Sequence, residues 1–514
     1  MSNIKITIGS RGSKLALWQA NHIQEKLSHH GVESEIKIIK TKGDQIQHLS
    51  FDKIEGKGFF TKEIETALIN KEIDLAVHSL KDMETEQSKE LSIEAIPIRE
   101  NPSDTLLINM ASFDKTQVLN IIKKGKVGTS SARRKNQLLL FRDDLIIKDL
   151  RGNVPTRIQK LRDGHYDAIV LAKAGINRLN IDISDLFVLD LSPATFIPAP
   201  AQGALGIQIR DSSLQLKQIV NKLSHKETLE NVVFERKILN STGGGCHSPM
   251  GVFSKIDNGI RNTWVTYSKE VNDYPIRFLS YSNNVSAIVA KIKSKNKNKK
   301  IWISRTLNNN SIFSKLLTNK SHEVTGNSLI QKQEIKINQL PDCDWIFFNS
   351  FFSFESIKYL KKDFSNKKIA AYGKSTASYL YKNGLNVDFT GQGSPHEIAE
   401  AFKIKLKSNE IAFFPSSNRT IGTVQSLLNK KNKIVISTYN TKLIQVSVEL
   451  NDFYVFTSPS NVEAFFKTNS FKNSKAISIG PSTTKTLKDF GVTVVTEAYE
   501  STELALADAV FSLI

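Results

Sequence analysis

The sequence has little cysteine. Its 514 residues include two, Cys246 and Cys343. Their spacing fits neither a zinc ribbon nor a disulfide-stapled fold, so we expect no metal site and no disulfide. No run approaches the ~18 apolar residues of a membrane helix. The start MSNIKITIGS lacks the basic and apolar regions of a secretion signal. These absences lead us to expect a cytoplasmic protein without a membrane partner.

Acidic residues are outnumbered, with 51 Asp and Glu against 70 Lys and Arg, which gives a net charge of +19. Such a charge alone is compatible with nucleic acid, an acidic small molecule or a compositional bias toward lysine. The lysines are scattered or gathered in the tract 291–300, whereas arginines recur in glycine-containing turns. Since no helix-turn-helix, aromatic platform or zinc pattern is present, we expect a small polyanionic ligand and no nucleic acid.

The chain is too long for one hydrophobic core, since single domains rarely exceed about 300 residues. Alternating apolar residues at 4–8 predict a strand, and the spacing of Ala16, Ala20, Ile23 and Leu27 predicts the helix after it. Similar strand-to-loop units continue through both halves and indicate an α/β fold with open sheets covered by helices. Ligands of such sheets bind at the carboxyl ends of strands. The Lys/Asn-rich tract 291–300 is the predicted linker between two separately folding halves.

Arginines on strand-end loops are the densest chemical signal in the first half. Their planar forks bind carboxylates bidentately, so several of them suit a ligand with many anionic groups. Taken singly, each is equally compatible with a surface ion pair. These arginines are Arg11, Arg133, Arg134, Arg151, Arg157 and Arg178, and Ser13 and Ser131 lie in the same motifs.

Two further residues stand in positions that suit chemistry. Asp82 ends the run VHSLKD, where a carboxylate can stabilise a developing cation, although a helix cap is an equally good interpretation. Cys246 lies in GGGCHSPMG, and bare backbone around a sulfur gives access to a nucleophilic thiolate. A lone cysteine is more often a small buried hydrophobe, but the three glycines argue against that here.

Residues 1–290 resemble hydroxymethylbilane synthase, also called porphobilinogen deaminase. The resemblance runs in family order through IGSRGSKLALWQA, GKGFFTKE, DLAVHSLKD, VGTSSARR, LRGNVPTR, DAIVLAKAGINRL, PAPAQGALGI and GGGCHSP. It implies that Cys246 anchors a self-assembled dipyrromethane cofactor through a thioether and that Asp82 is catalytic. It also implies cofactor binding by Ser13, Lys81, Asp82, Ser131, Arg133, Arg134 and Arg151, and substrate binding by Arg11, Arg157 and Arg178.

The reaction implied by this resemblance joins porphobilinogen units with loss of ammonia and releases a linear tetrapyrrole. Asp82 would stabilise the cation formed by the substrate, while the arginines offset the accumulating carboxylates. The sequence departs from the family at Met83-Glu84, where an apolar residue and proline are usual, and at Ala201, where glycine is usual. We expect these departures to alter loop geometry, and they remove no reacting group.

The second half resembles uroporphyrinogen-III synthase through ISRT, DWIFFNSFFSFESI, AAYGKSTASYL, STYNT, YVFTSPSNVEAFF and AISIGPSTTKTLKDFGVTV. The resemblance implies two lobes around a cleft that closes the tetrapyrrole ring while inverting its last pyrrole. Tyr439 is then the candidate to assist loss of the terminal hydroxyl, and Thr457 and Ser458 are candidates to bind substrate. A core or surface role for this tyrosine is about as well supported by the residues alone.

These resemblances divide the chain at defined positions and leave two alternatives. The first is an active deaminase with an inactive or structural C-terminal half. The second is a non-enzymatic solute-binding protein, which would carry a secretion signal and no special cysteine loop.

We expect a monomer whose ligands are polycarboxylate pyrroles. The resemblances imply a first half of two periplasmic-binding-protein-like α/β lobes, lobe 1 at about 1–100 and 198–220 and lobe 2 at about 101–197, with a small α+β cofactor domain at about 221–290. After the linker, they imply two doubly wound α/β synthase lobes, at about 301–333 with 443–514 and at about 334–442.

Overall fold

The computed structural model describes residues 5–41, 61–85, 88–243, 248–270, 273–294, 297–308, 311–419, 422–470 and 474–514. Within these residues, helices and strands alternate through both halves of the chain. The strands are β1 (Lys5–Ser10), β2 (Glu33–Ile38), β3 (Leu75–Ser79), β4 (Leu91–Ala95), β5 (Asp104–Asn109), β6 (Lys126–Gly128), β7 (Ile146–Lys148), β8 (Ala168–Ala172), β9 (Leu186–Leu191), β10 (Leu205–Arg210), β11 (Met250–Asp257), β12 (Ile260–Tyr267), β13 (Ile276–Ser280), β14 (Lys300–Ile303), β15 (Glu323–Gly326), β16 (Ile330–Glu334), β17 (Trp345–Phe348), β18 (Lys368–Ala371), β19 (Phe389–Thr390), β20 (Ala412–Ser417), β21 (Lys433–Leu443), β22 (Phe453–Phe456), β23 (Lys475–Ser478) and β24 (Val495–Glu497).

The helices cover the faces of the sheets that these strands form. They are α1 (Lys14–His29), α2 (Lys62–Ile69), α3 (Ala132–Phe141), α4 (Val154–Arg162), α5 (Lys173–Leu179), α6 (Leu214–Val220), α7 (Lys226–Ser241), α8 (Val285–Lys293), α9 (Ile312–Thr318), α10 (Phe351–Glu355), α11 (Lys374–Lys382), α12 (Pro395–Lys405), α13 (Thr423–Ser426), α14 (Pro459–Phe465), α15 (Pro481–Asp489) and α16 (Glu503–Leu513).

Two mixed sheets and an antiparallel one make up the first half. The first sheet has the order β2-β1-β3-β10-β4, and the second has the order β7-β6-β8-β5-β9. In each, four strands run in the same direction, and β10 or β5 is antiparallel to the neighbours on both its sides. The third sheet is the antiparallel meander β11-β12-β13, against which α7 packs. The second sheet, whose strands run from Asp104 to Leu191, is thus an insertion between β4 and β10 of the first sheet.

Two further sheets make up the second half. The fourth sheet, β15-β14-β22-β23-β24, is parallel throughout. The fifth sheet has the order β16-β21-β20-β17-β18-β19, and only β16 is antiparallel to its neighbour. Apolar runs such as WIFF in β17 and FYVF in β22 are buried along their whole length, as expected of strands with helices on both faces.

The third and fourth sheets share one hydrophobic core across the two halves. At its centre the Arg277 guanidinium on β13 contacts both carboxylate oxygens of Asp508 on α16 at 3.1 and 3.2 Å, and both side chains are fully buried. Arg277 also donates to the Ala194 and Thr195 carbonyls, next to the second sheet. The apolar members of this core include Leu140, Val265, Phe278, Ile288 and Ile292 from the first half and Ile301, Phe313, Val455, Leu506 and Phe511 from the second.

The α/β class expected from the sequence is confirmed, as are the strand at the N-terminus and the α1 helix. Ser13 caps α1 by accepting a hydrogen bond from the Ala16 N–H. The Lys/Asn-rich tract 291–300 connects the halves over a shorter stretch than its composition indicates, because α8 continues to Lys293 and β14 begins at Lys300. Ile292 lies buried in the shared core. Among the described residues, no helix is long and apolar enough to span a bilayer.

Candidate active sites

The carboxyl end of β3 presents the first candidate catalytic group. The chain leaves the strand through a 3-10 turn at Leu80–Asp82, in which the Leu80 side chain is buried and anchors the turn. Lys81 is partly buried and its Nζ lies 3.4 Å from Gln202 Oε1, while the Asp82 carboxylate is exposed. This turn is a strand-end loop of the kind where α/β sheets bind ligands.

Electrostatic coupling shows which of the predicted residues come together here. Burial lowers the pKa of Lys81 to about 8, against the opposing influence of the Asp82 carboxylate, and Arg134 lowers it further. Burial likewise lowers the pKa of Arg157 to about 10, with Arg134 acting in the same direction and Asp82 in the opposite one. Lys81, Asp82, Arg134 and Arg157 are therefore neighbours, although they come from both mixed sheets. An anion bound among these cations would raise the Lys81 pKa again.

Asp104, which the sequence analysis missed, holds two of the predicted arginines. Its Oδ2 accepts from Arg133 Nη1 at 2.6 Å and its Oδ1 accepts from Arg134 Nη2 at 2.7 Å. Gln202 Nε2 adds a third donor at 3.0 Å. Burial alone would raise the pKa of Asp104, but the two guanidinium groups hold it well below its usual range. Arg133 Nη1 also donates to the Ile197 carbonyl, and Arg134 Nη1 donates to the Val170 carbonyl, which fixes the orientation of each guanidinium.

Arg151 and Arg157 lie at the start of α4, where the motif LRGNVPTR makes a tight turn. Gly152 has φ of 112°, a conformation that favours glycine, and its carbonyl accepts from Arg157 Nε at 2.6 Å. The Arg151 carbonyl accepts from Lys160, and the Arg151 guanidinium lies 4.0 Å from the exposed Asp149. Ser131 caps α3 by accepting from the Arg134 N–H, as Ser13 does for α1.

The predicted substrate arginine Arg178 lies where α5 meets α1. It is buried, donates to the Gly203 carbonyl at 2.6 Å and stacks 5.7 Å from the centre of the Trp18 ring. Burial lowers its pKa to about 10. It therefore links the second mixed sheet to the first. Arg11 follows β1 and is close enough to His78 to lower the pKa of that buried imidazole, although burial is the larger cause.

The departure at Ala201 has a visible geometric consequence. Ala201 has φ of 62°, which costs an L-residue about 1–2 kcal/mol and explains why glycine is usual there. The conformation is held because the Ala201 N–H donates to the buried Glu235 carboxylate at 2.7 Å. Glu235 is in turn paired with Arg99 through two bonds of 2.8 and 3.0 Å. The departure at Met83-Glu84 keeps an apolar, buried side chain at Met83.

Arg236 on α7 is a second residue that the sequence analysis missed. Its guanidinium donates to the backbone carbonyls of Leu80 at 2.7 Å, Met83 at 3.3 Å and Glu84 at 2.6 Å. These three carbonyls flank Asp82 on both sides. Because the acceptors are main-chain atoms, no side-chain pattern in the sequence signals the contact.

Cys246 lies outside the described residues, which resume at Ser248 after ending at Gly243. The groups around Asp82 fit a dipyrromethane with its acetate and propionate side chains, because Lys81 and Arg157 are desolvated cations beside a single exposed carboxylate. Among the described residues, no cluster of His, Cys, Asp and Glu has the arrangement of a metal site.

In the second half, the carboxyl ends of the fourth and fifth sheets face each other. Arg419, which follows β20, forms an ion pair with Glu463 on α14, which follows β22. Asn461 Oδ1 on the same helix accepts from the Leu329 N–H at the start of β16. Segments at the strand ends of the two sheets therefore contact each other.

The three predicted residues of this half lie toward the carboxyl ends of strands in these two sheets. The Tyr439 ring on β21 is largely buried and packs edge-on against Phe352, with their centres 5.0 Å apart. The Thr457 N–H donates to Ser304 Oγ at 2.8 Å and its hydroxyl to the Ser304 carbonyl at 3.0 Å, which joins β22 to β14. Ser458 caps α14 by accepting from the Asn461 N–H.

Comparison with known proteins supports both halves. A family model described as "Porphobilinogen deaminase, dipyromethane cofactor binding domain" matches residues 6–218, and one described as "Uroporphyrinogen-III synthase HemD" matches residues 313–508. The porphobilinogen deaminase of Clostridium novyi is 44% identical over 259 residues, covering 49% of this chain and 85% of that protein. That of Maridesulfovibrio salexigens is 46% identical over 256 residues, covering 49% and 81%.

A solved uroporphyrinogen-III synthetase from Helicobacter pylori matches 42% of this chain and 100% of its own at 17% identity, with a TM-score of 0.34. The identity and coverage of the deaminase relatives, together with the family match at residues 313–508, place the two enzymes in one polypeptide. The chain belongs to the porphobilinogen deaminase family and carries a uroporphyrinogen-III synthase domain in its second half.

Proposed function

We propose that this chain converts four porphobilinogen molecules into hydroxymethylbilane and then closes that product to uroporphyrinogen III. The observation that carries the first step is the exposed Asp82 carboxylate among Lys81, Arg134 and Arg157 at the end of β3. We assign the first step to residues 1–290 and the second to residues 301–514, with the lobe boundaries expected from the sequence. The proposed enzyme is a cytoplasmic monomer.

Asp82 acts on the incoming substrate in this proposal. Its carboxylate accepts the pyrrole N–H of porphobilinogen and stabilises the cation that forms as the substrate loses ammonia. Asp82 suits this role because it is exposed, whereas Asp104 is buried and committed to Arg133 and Arg134. Arg236 keeps the turn in place by bonding the carbonyls on both sides of Asp82.

The cations hold carboxylates of the cofactor and the growing chain. A bound dipyrromethane supplies a free pyrrole α-carbon, and Cys246 is its proposed thioether anchor. Ser13, Lys81, Ser131, Arg133, Arg134 and Arg151 are the proposed contacts of its acetate and propionate groups. We assign Arg11, Arg157 and Arg178 to substrate. The hydrogen bonds to Asp104 orient Arg133 and Arg134 before any ligand arrives, so these side chains lose less conformational entropy on binding.

The second step takes place in the cleft between the fourth and fifth sheets. Tyr439 is proposed to assist loss of the terminal hydroxyl, and the loop of Thr457 and Ser458 to bind substrate. Tyr439→Phe removes one O–H and leaves a ring that packs against Phe352. We expect this variant to release a larger fraction of isomer I, the product of uncatalysed closure, without a lower melting temperature.

Intact mass spectrometry tests the cofactor assignment most directly. We expect active full-length protein to be heavier than its sequence by one dipyrromethane, and Cys246→Ala to lack this increment. The matched control is Cys343→Ala, because Cys343 is buried and burial raises its pKa to about 11, which disfavours the thiolate. An active wild-type preparation with the unmodified mass would refute the anchor.

A further inference from the structure

Lys332 lies on β16 with three aromatic rings around its ammonium group. Nζ is 4.8 Å from the ring centre of Phe352, 5.5 Å from that of Phe351 and 5.6 Å from that of Tyr439. Glu334 on β16 pairs with Tyr439 on β21, and Lys332 is two residues before Glu334, so Lys332 and Tyr439 are diagonal neighbours on one face. α14, which begins just after β22, packs against both strands.

The charge of Lys332 is not neutralised within the described part of the chain, where no carboxylate forms an ion pair with it. Burial lowers its pKa, and no carboxylate opposes that shift. Two arginines that follow strands of these sheets differ in this respect, since Arg305 is paired with Glu503 and Arg419 with Glu463. Holding an unpaired cation in a partly desolvated position costs free energy, and an anionic ligand that binds it offsets that cost.

A second unpartnered donor lies near the same rings. Asn349 follows β17, and its buried Nδ2 has no hydrogen-bond partner within the part of the chain that the structure describes. The next residues are Ser350, which caps α10, and then Phe351 and Phe352, whose rings enclose Lys332. Since β17, β20 and β21 are parallel, Asn349 and Tyr439 lie toward the same edge of the fifth sheet. Two donors of the fifth sheet, Lys332 Nζ and Asn349 Nδ2, therefore lack an acceptor among the described residues.

We propose that Lys332, assisted by the Asn349 amide, binds a carboxylate side chain of the linear tetrapyrrole and positions its hydroxymethyl end beside Tyr439. The inference rests on the proposed synthase function and adds a recognition residue to it. The ammonium supplies the charge, and Asn349 Nδ2 supplies a hydrogen bond. The aromatic rings limit where the lysine can point, so its position is set before substrate arrives.

Full-length enzyme supplied with synthetic hydroxymethylbilane provides the test. Lys332→Met keeps the aliphatic stem against the rings and removes the charge. We expect its KM for uroporphyrinogen III formation to rise about tenfold or more, as for loss of a charged hydrogen bond. Its kcat should change less, and its porphobilinogen consumption and melting temperature should match the wild type. Lys332→Arg, which keeps the charge, should recover most of the affinity.

Lys442→Met is the matched control, because Lys442 is an exposed lysine on the neighbouring strand β21. We expect it to behave as wild type. If Lys332→Met lowered the melting temperature, KM would be measured on Lys332→Gln, which places an uncharged polar group among the three rings. An unchanged KM in a folded Lys332 variant, with wild type still producing isomer III, would overturn the assignment of Lys332 alone. A wild type that produces no isomer III would instead overturn the synthase proposal.

Discussion

Asp82 and Asp104 bear the same charge in opposite surroundings. Asp82 is exposed at the end of a 3-10 turn, whereas Asp104 is fully buried and accepts from Arg133, Arg134 and Gln202. The first is free to meet substrate, and the second supports the residues that bind it. A carboxylate that is already satisfied by two guanidinium groups has little capacity to stabilise a further cation.

We expect Asp82→Asn to fold normally and to lose turnover by about a hundredfold or more, because it removes one preorganised charge. Asp104→Asn should instead lower the free energy of unfolding by about 3–5 kcal/mol, since it leaves two buried arginines without their counter-ion. Ammonia release and thermal unfolding measured on both variants distinguish these roles. Near-normal ammonia release by Asp82→Asn would show that its carboxylate is not catalytic.

At the level of elements, the sequence predicts strands well and long-range partners poorly. Apolar runs such as LAVHS and AIVLA predict buried strands, and the structure has β3 and β8 there. Arg133 and Arg134 are recognisable from their motif, but their partner Asp104 lies 29 and 30 residues away in a strand that reads as core. The Arg236 contacts span more than 150 residues and end on main-chain carbonyls, which carry no sequence signal.

Arg236→Met tests whether α7 holds the catalytic turn in place. The variant loses the bonds to the Leu80, Met83 and Glu84 carbonyls, so we expect kcat to fall roughly tenfold through misplacement of Asp82, with a smaller change in KM. Arg236→Lys should restore part of the rate. Lys237→Met is the control, since Lys237 is the exposed neighbour on the same helix. Equal kcat in Arg236→Met and the control would rule out a positioning role.

At the scale of the whole molecule, the two halves are joined by more than a linker. The composition of 291–300 favours separate folding, but the shared core and the buried Arg277–Asp508 pair oppose it. The sequence could not indicate this interface. The α16 helix is buried at every position from 504 to 511, so its residue pattern does not show which surface it packs against, and its partner strand β13 is more than 200 residues earlier. Cutting the chain near residue 295 would expose apolar surface on both sides.

Arg277→Met should destabilise the full-length protein by about 3–5 kcal/mol, because it leaves the Asp508 carboxylate buried without its counter-ion. We expect the deaminase and synthase activities to be lost together on heating, at a lower temperature than in wild type. Arg162→Met is the matched control, since Arg162 forms an exposed pair with Asp185, and such pairs contribute about 0–1 kcal/mol. Loss of the two activities at clearly different temperatures would show that the halves unfold independently.

The isomer composition of the product tests the central claim that one polypeptide performs both steps. Full-length enzyme is incubated with porphobilinogen alone, the products are oxidised, and the uroporphyrin isomers are separated by chromatography. We expect mainly isomer III, because the second half closes the ring before hydroxymethylbilane cyclises unaided in water. Isomer I as the sole product, with robust porphobilinogen consumption, would show that the second half does not close the ring and would favour an active deaminase with an inactive C-terminal half.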